Sequence, residues 1–219
     1  MNIAFYVSGN AGRIRGAMSK GYEDMFADTK LIFSDDSQNI WLEDVSKKSN
    51  INYELLDYKN ITDLSISKNL TLSNQLLEAL KKNKIDYCFS FGAHILTGDL
   101  LNQYENKIIN FHPSILPMYP GKLSIDTAVE AGSNLLGNTA HFIDRGIDTG
   151  PIIMQNIVSS KVFSDNNYDV VLDNQIPMLH QIYKWLKNKQ LIIEGRKVTI
   201  YNANYNKSVF YPEIENESK

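Results

Sequence analysis

Short apolar runs that end in polar or turn-forming residues are the feature that most constrains the fold of this chain. Each run is followed by a segment with helical spacing of its apolar residues, and the five runs cover residues 3–7, 30–33, 51–56, 85–89 and 107–111. Continuous apolar runs of this length suit strands of a buried parallel sheet. Strands that alternate with helices predict an α/β fold with a doubly wound, mostly parallel sheet, which binds ligands at the carboxyl ends of its strands.

The pattern changes after residue 158. Leu179, Ile182 and Leu186 recur at helical spacing, and two apolar runs flank Glu194-Gly195. These features predict one helix and a β-hairpin. We therefore expect a single domain over residues 1–219, with a core at 1–158 and a C-terminal extension at 159–219. The hairpin would suit a homodimer interface or a substrate-binding surface.

Composition limits the classes of partner. The net charge is −3, the pI is about 5.8, and no apolar run approaches the roughly 18 residues of a membrane span. We therefore expect no nucleic acid partner, no membrane association and a cytoplasmic location. The single cysteine, Cys88, excludes an internal disulfide, and its apolar neighbours predict a buried, inert thiol.

Three polar residues stand at the ends of strand-like runs within residues 108–155: Asn110, His112 and Asp148. A carboxylate can orient an imidazole and stabilise its protonated form, and an amide N–H can stabilise an oxyanion. The sequence around them has no motif for a nucleophilic serine or cysteine, and it has no further residues at the spacing of metal ligands. The set fits an acyl transfer in which the substrate brings the nucleophile, and we expect no metal.

The loop after the first run carries Ser8, Gly9, Asn10, Gly12 and Arg13. A glycine-bearing turn that leads into a helix offers backbone N–H groups to an anion such as phosphate. Glycine can also serve only the bend, so both explanations stay open. The spacing matches neither a Walker loop nor the dinucleotide-binding fingerprint.

Two motifs carry a specific resemblance: Asn110-Phe-His112-Pro-Ser-Ile-Leu-Pro and His141-Phe-Ile-Asp-Arg-Gly-Ile-Asp148-Thr-Gly-Pro. They resemble the N10-formyltetrahydrofolate-dependent formyltransferases of the glycinamide ribonucleotide formyltransferase-like family. The resemblance implies a Rossmann-like fold, a catalytic triad of Asn110, His112 and Asp148, and N10-formyltetrahydrofolate as formyl donor.

The resemblance also implies where the donor binds. It would lie between two loops, whose residues are His94, Ile95, Leu96, Asp144, Gly146 and Ile147. For Asp144 we prefer a loop-capping role over a direct one. His141 matches a family position near the triad, although a buried histidine at a strand end explains it equally well.

The family pattern breaks down where the amine acceptor would bind. Residues 11–13 of the first loop differ from the family's phosphate-binding loop, and Asp173-Asn-Gln175 stands where we expect a glutamate. We therefore favour a nucleotide-linked amino sugar as acceptor, in surface polysaccharide or O-antigen (lipopolysaccharide) biosynthesis. Glycinamide ribonucleotide is the main alternative, followed by formyltetrahydrofolate hydrolysis. A non-catalytic module that binds folate or nucleotide is the alternative of another class.

Overall fold

The computed structural model describes residues 1–62, 65–209 and 211. Its strands are β1 (Ile3–Val7), β2 (Thr29–Ser34), β3 (Asn52–Leu55), β4 (Tyr87–Phe91), β5 (Ile108–His112), β6 (Leu135–Phe142), β7 (Ile152–Ser159), β8 (Leu191–Glu194) and β9 (Lys197–Ile200). Its helices are α1 (Gly12–Ser19), α2 (Glu23–Asp28), α3 (Ile40–Ser49), α4 (Lys68–Lys82), α5 (Asp99–Gln103), α6 (Ser124–Glu130), α7 (Asp169–Leu172) and α8 (Gln175–Lys187). Short 3-10 helices cover Tyr58–Asn60 and Ser160–Val162.

All of these strands belong to one nine-stranded sheet, in the order β3-β2-β1-β4-β5-β6-β7-β9-β8. Parallel pairing holds between β3, β2, β1, β4 and β5, and again between β7 and β9. The strand order reverses between β1 and β4, so a ligand crevice is expected beyond their carboxyl ends. The predicted fold class, an α/β fold with a doubly wound and mostly parallel sheet, is confirmed.

Two predicted strands lie one or two residues further along the chain than expected. β4 begins at Tyr87 because Ile85 and Asp86 are used in the turn after α4, where their backbone N–H groups donate to Leu80 and Asn2. β5 extends to His112. The predicted histidine is therefore held by the sheet rather than by a loop.

The antiparallel strands of the sheet are longer than the apolar run in the sequence predicts. The apolar run before Asp148 covers only residues 139–143, whereas β6 begins at Leu135. It pairs along its length with β7, a strand that the sequence did not reveal. Gly137 and Asn138 interrupt the apolar run. Gly137 is required, since a Cβ there would lie 2.1 Å from the carbonyl oxygen of Asn156.

The predicted C-terminal hairpin forms as β8 and β9 and extends the main sheet. β9 pairs with β7 between Lys197 and Ile152, so the hairpin continues the core sheet, and residue 158 falls inside β7. The division at residue 158 and the single domain over residues 1–219 stay predictions, and residues 212–219 lie outside the described part of the chain.

Helices cover both faces of the sheet. α1 and α8 pack with the largest apolar cluster on one face, and α4 and α5 cover the other face. Cys88 on β4 is fully buried, which confirms its predicted burial. Burial raises the pKa of its thiol to about 12, in agreement with an inert role. Among residues 1–62, 65–209 and 211, no helix combines the length and apolar character that a membrane crossing requires.

Candidate active site

The end of β5 and the loop between β6 and β7 bring the three predicted catalytic residues together. Asn110 and His112 lie on β5, and Asn110 faces His141 in the antiparallel pairing with β6. Asp148 lies in the loop after β6 with a left-handed φ of 54°. This loop folds back over the end of β5, so that Asp148 reaches His112.

His112 is almost fully buried, and acceptors lie beside both of its ring nitrogens. Its Nδ1 is 3.3 Å from Oδ2 of Asp148, and its Nε2 is 2.9 Å from the carbonyl oxygen of Tyr119. The backbone N–H of Gly121 donates to the same Asp148 oxygen at 2.8 Å. A doubly protonated imidazolium satisfies both contacts of His112, because it donates from each nitrogen.

His141 lies behind the triad, between a donor and an acceptor. Its Nδ1 donates to the carbonyl of Phe142 at 2.9 Å. Its Nε2 is 3.2 Å from Nδ2 of Asn110 and 3.6 Å from Oδ1 of Asp148. The neutral ring accepts from Asn110 at Nε2, and the protonated ring donates toward Asp148. Both interpretations of His141 therefore hold, since it is buried at a strand end and contacts the triad.

The surroundings of Asp148 favour its ionised form. Burial raises the pKa of Asp148, but the contact with His141, the N–H of Gly121 and the charge of the neighbouring histidines outweigh burial and hold the pKa below its usual value. The group therefore presents a carboxylate beside two imidazoles. Such a set can hold a proton on His112 and receive one from a reacting amine.

On the predicted donor side, the residues differ in what they offer a ligand. Ile95 and Ile147 are exposed at 56% and 58%, whereas Leu96 is buried in the core. His94 stacks on Tyr58 with ring centroids 3.5 Å apart. Burial lowers the pKa of His94, Asp35 opposes this shift and Lys122 adds to it.

Asp144 caps its own loop. Its Oδ1 accepts from the backbone N–H of Gly146 at 3.0 Å and from the hydroxyl of Thr149 at 2.7 Å. This geometry agrees with the loop-capping role preferred from the sequence. A Cβ on Gly146 would lie 2.0 Å from Oγ1 of Thr149, so the glycine lets the loop close.

In the acceptor loop (residues 8–13), three of the predicted side chains already have protein partners. Ser8 donates to Asp35 at 2.7 Å and accepts from the N–H of Ala93 at 2.7 Å, and Asn10 accepts from the N–H of Gly12 at 3.1 Å. Arg13 donates through Nε to Gln175 at 2.9 Å. Gly9 supplies a left-handed φ of 58°. The loop therefore offers a ligand mainly backbone groups and the end of Arg13.

Sequence reasoning missed Asp35, which joins the acceptor loop to the donor side. This buried carboxylate accepts from the hydroxyls of Tyr6 at 2.6 Å and Ser8 at 2.7 Å, and it lies 3.8 Å from Nε2 of His94. It directly follows β2, so its position at a carboxyl strand end was the available signal. The stretch after β2 was treated only as a polar strand end.

Comparison with known proteins places this site in a family. The profile of the family described as "Formyl transferase" matches residues 1–174. The chain is 42% identical over 84 residues to the phosphoribosylglycinamide formyltransferase of Bacillus subtilis, a match that covers 38% of this chain and 43% of that protein. It is 31% identical over 119 residues to the formyltetrahydrofolate deformylase of Haemophilus influenzae, which covers 54% of this chain and 41% of the relative. The chain thus spans less than half the length of these curated relatives.

Solved structures extend the likeness to nearly the whole fold. Glycinamide ribonucleotide transformylase 1 of Symbiobacterium toebii superposes with a TM-score of 0.74 at 26% identity, covering 92% of this chain and 94% of that one. The phosphoribosylglycinamide formyltransferase of Streptococcus pneumoniae superposes with a TM-score of 0.65 at 27% identity, covering 86% and 97%. The profile match over most of the chain shows that this protein belongs to the formyl transferase family.

Proposed function

We propose that this protein transfers the formyl group of N10-formyltetrahydrofolate to a primary amine, with Asn110, His112 and Asp148 as catalytic residues. The observation that carries the proposal is the buried cluster in which His112 and His141 contact opposite oxygens of one carboxylate beside the amide of Asn110. No group of residues suited to holding a metal ion occurs within the described chain, and the proposed reaction needs none.

In the proposed reaction the acceptor amine attacks the formyl carbon, and a tetrahedral intermediate with an oxyanion forms. The amide of Asn110 and the imidazolium of His112 donate to this oxyanion, as preorganised donors do in acyl transfer. The oxyanion takes the place of the Tyr119 carbonyl at Nε2 of His112. Asp148 keeps the opposite nitrogen, Nδ1, protonated and oriented.

Proton transfer completes the reaction. The attacking amine loses a proton to the Asp148 carboxylate, which its lowered pKa keeps ionised at neutral pH. Collapse of the intermediate breaks the bond from the formyl carbon to N10, and the proton held by Asp148 passes to N10 as it leaves, which restores the carboxylate. The products are the formamide and tetrahydrofolate.

For the acceptor, glycinamide ribonucleotide is the first candidate. Relatives named for formyl transfer to this compound match the chain in sequence and in fold, whereas none of the proteins compared above is named for an amino sugar. The amino-sugar acceptor inferred from the sequence lacks such support. It remains the second candidate because the acceptor loop departs from the family pattern and Gln175 is fully buried.

The test is a panel of acceptors offered with N10-formyltetrahydrofolate, with products identified by mass spectrometry. We expect formylation of glycinamide ribonucleotide, and we expect His112→Ala to abolish it. Turnover confined to amino-sugar nucleotides would replace the first candidate by the second. Formate release without any amine would instead indicate hydrolysis, and a lack of all turnover despite folate binding would indicate a non-catalytic module.

The homodimer stays a prediction. β8 forms one edge of the sheet, and its Ile192 is exposed at 45%. Unpaired edge strands can pair with a second copy. Sedimentation velocity on the protein with and without an Ile192→Lys change would test this arrangement, since a charge on the edge blocks pairing.

A further inference from the structure

Gln175, the first residue of α8, lies at the centre of a buried network of hydrogen bonds. Its side chain is fully buried, and its amide nitrogen donates to the carbonyl of Phe111 at 3.2 Å and to Oδ1 of Asn138 at 2.8 Å. Its amide oxygen accepts from Nε of Arg13 at 2.9 Å. Both N–H groups and the oxygen of this amide have partners inside the protein, and its full burial keeps Gln175 from contacting a substrate.

The network joins the acceptor loop to the catalytic strand. Arg13 belongs to the acceptor loop, and Phe111 lies on β5 between Asn110 and His112. A single side chain thus spans the distance between these two regions. Because buried hydrogen bonds of this kind fix geometry tightly, the position of Arg13 is set relative to the catalytic residues rather than by its own loop alone.

Arg13 is a half-buried cation, and the described carboxylates stabilise its charge only from a distance. No carboxylate in the described ranges forms an ion pair with it, and none of the described residues accepts a hydrogen bond from its two terminal nitrogens. Burial lowers the pKa of the guanidinium, while Asp169 and Asp173 raise it from beyond ion-pair distance. A partly buried cation without a direct partner favours an anion nearby.

Arg13 also lines a small pocket at the carboxyl end of β1. Ser8, Asn10, Gly12 and Phe91 are among the other residues of this pocket. With Nε held by Gln175, the terminal nitrogens form the free side of a planar fork, a geometry that suits two oxygens of one phosphate or carboxylate group.

We infer that Gln175 is a positioning residue for the acceptor: it holds Arg13 so that the guanidinium binds an anionic group of the acceptor at a fixed distance from Asn110 and His112. The inference rests on the proposed formyl transfer for its kinetic consequences. Its binding component does not depend on catalysis, because any small phosphate can probe the Arg13 fork.

The test is a double-mutant cycle of Arg13→Gln, Gln175→Met and the double variant. Acceptor KM and donor KM come from kinetics with the amine that the protein formylates, and inorganic phosphate affinity comes from NMR titration. We expect each single change to raise acceptor KM and phosphate Kd about 10-fold, the value of one charged hydrogen bond, and to leave donor KM within twofold. The double variant should be no worse than Arg13→Gln, because Gln175 acts through Arg13. Effects that multiply would overturn the inference.

A matched control separates positioning from general loss of hydrogen bonds. The amide of Gln155 also donates twice, to the carbonyl of Leu116 at 2.9 Å and to the hydroxyl of Thr139 at 2.8 Å. Gln155→Met should leave phosphate Kd unchanged. If it weakens phosphate binding as much as Gln175→Met, the assigned role of Gln175 is wrong.

If Gln175→Met does not fold, Arg13→Lys takes its place in the phosphate-binding test. Lysine keeps the charge, but it cannot bond Gln175 and present two further donors in one plane. We expect a several-fold weaker phosphate affinity, and an affinity equal to the unchanged protein would overturn the inference. If no amine is formylated while phosphate binding still depends on Arg13 and Gln175, the proposed function fails and the positioning role stands.

Discussion

The catalytic cluster and the acceptor loop lie at the same edge of the sheet, but they are built in opposite ways. Asn110, His112 and Asp148 contact one another or the shared neighbour His141, so the cluster is nearly complete by itself. In the acceptor loop the polar side chains bind distant parts of the protein instead: Ser8 binds Asp35 and Arg13 binds Gln175. In the proposed reaction the chemistry is therefore local to two motifs, whereas the proposed acceptor recognition depends on partners far away in the sequence.

This difference predicts that substitutions in the two regions change different kinetic or thermodynamic quantities. Changes in the catalytic cluster should lower kcat, because its groups meet the reacting atoms. Changes in the acceptor loop or its anchors should act on substrate binding or on stability.

The largest effect is expected for His112→Ala and Asp148→Ala. Loss of a proton-transferring group or oxyanion donor typically costs about 10² or more in rate, so kcat should fall at least that far while the fold persists. The matched control is His180→Ala, which breaks a histidine–carboxylate pair of 2.9 Å with Asp24 away from the cluster. Comparable losses in the control and the cluster variants would refute the assignment.

A smaller but clear loss of rate is expected for Gly150→Ala. A Cβ at this position would lie 1.8 Å from the carbonyl oxygen of Phe142, so the loop that carries Asp148 must shift. Displacement of a catalytic group by about 1 Å can cost up to about 10², and we expect kcat to fall at least roughly 10-fold.

Gly132→Ala provides the control for strain alone. Gly132 has a φ of 71° but open space at the Cβ position, away from the cluster. This variant should lose stability and keep kcat. If Gly150→Ala behaves in the same way, the position of Asp148 matters less than the account requires.

Tyr6→Phe should affect stability more than catalysis. The hydroxyl donates to the buried Asp35 at 2.6 Å, and hydrogen bonds to charged groups are worth about 1.5–3 kcal/mol. Urea denaturation should show a loss in this range. Tyr201 is 62% exposed, so Tyr201→Phe should change the free energy of unfolding by no more than about 0.5 kcal/mol. An unchanged stability of Tyr6→Phe would mean that the hydrogen bond from Tyr6 to Asp35 contributes little to the fold.

The smallest effect is the pH dependence of stability that Asp148 contributes. Its folded-state pKa is lowered, so the stabilisation is fully present above the unfolded pKa of about 3.9 and is lost as the pH falls through the folded value. The difference in unfolding free energy between the unchanged protein and Asp148→Asn should therefore shrink as the pH falls below about 4. A difference that grows toward acid pH would have the wrong sign.

The elements that the sequence predicted well are those that a single apolar pattern determines. The strands from β1 to β5 are short apolar runs, and α4 shows a clear apolar stripe with Leu72, Leu76 and Leu80 buried. The start of β6 was missed because it is held by the paired amides of Asn138 and Asn156. Two polar residues whose hydrogen-bonding groups are satisfied only by each other across two strands leave no periodic pattern along either strand.

The same reason explains which residues of the site could be predicted from the sequence. Asn110, His112 and Asp148 could be named because they occur in compact motifs at strand ends. Asp35 could not, since an aspartate after a strand is ordinary until its partners are known. Gln175 was noted only as a departure from the family pattern, and its bonds to Arg13 and Phe111 could not be foreseen. Gln175 lies 162 residues from Arg13 in the chain.

The most direct test of the account compares Asp148→Asn with Arg13→Gln in one steady-state assay with N10-formyltetrahydrofolate and the formylated amine. We expect Asp148→Asn to lower kcat by about 10² or more with little change in either KM. We expect Arg13→Gln to raise acceptor KM about 10-fold and to leave donor KM unchanged. If Arg13→Gln raises donor KM as much as acceptor KM, or if Asp148→Asn keeps its kcat, chemistry and acceptor recognition are not divided between these two regions.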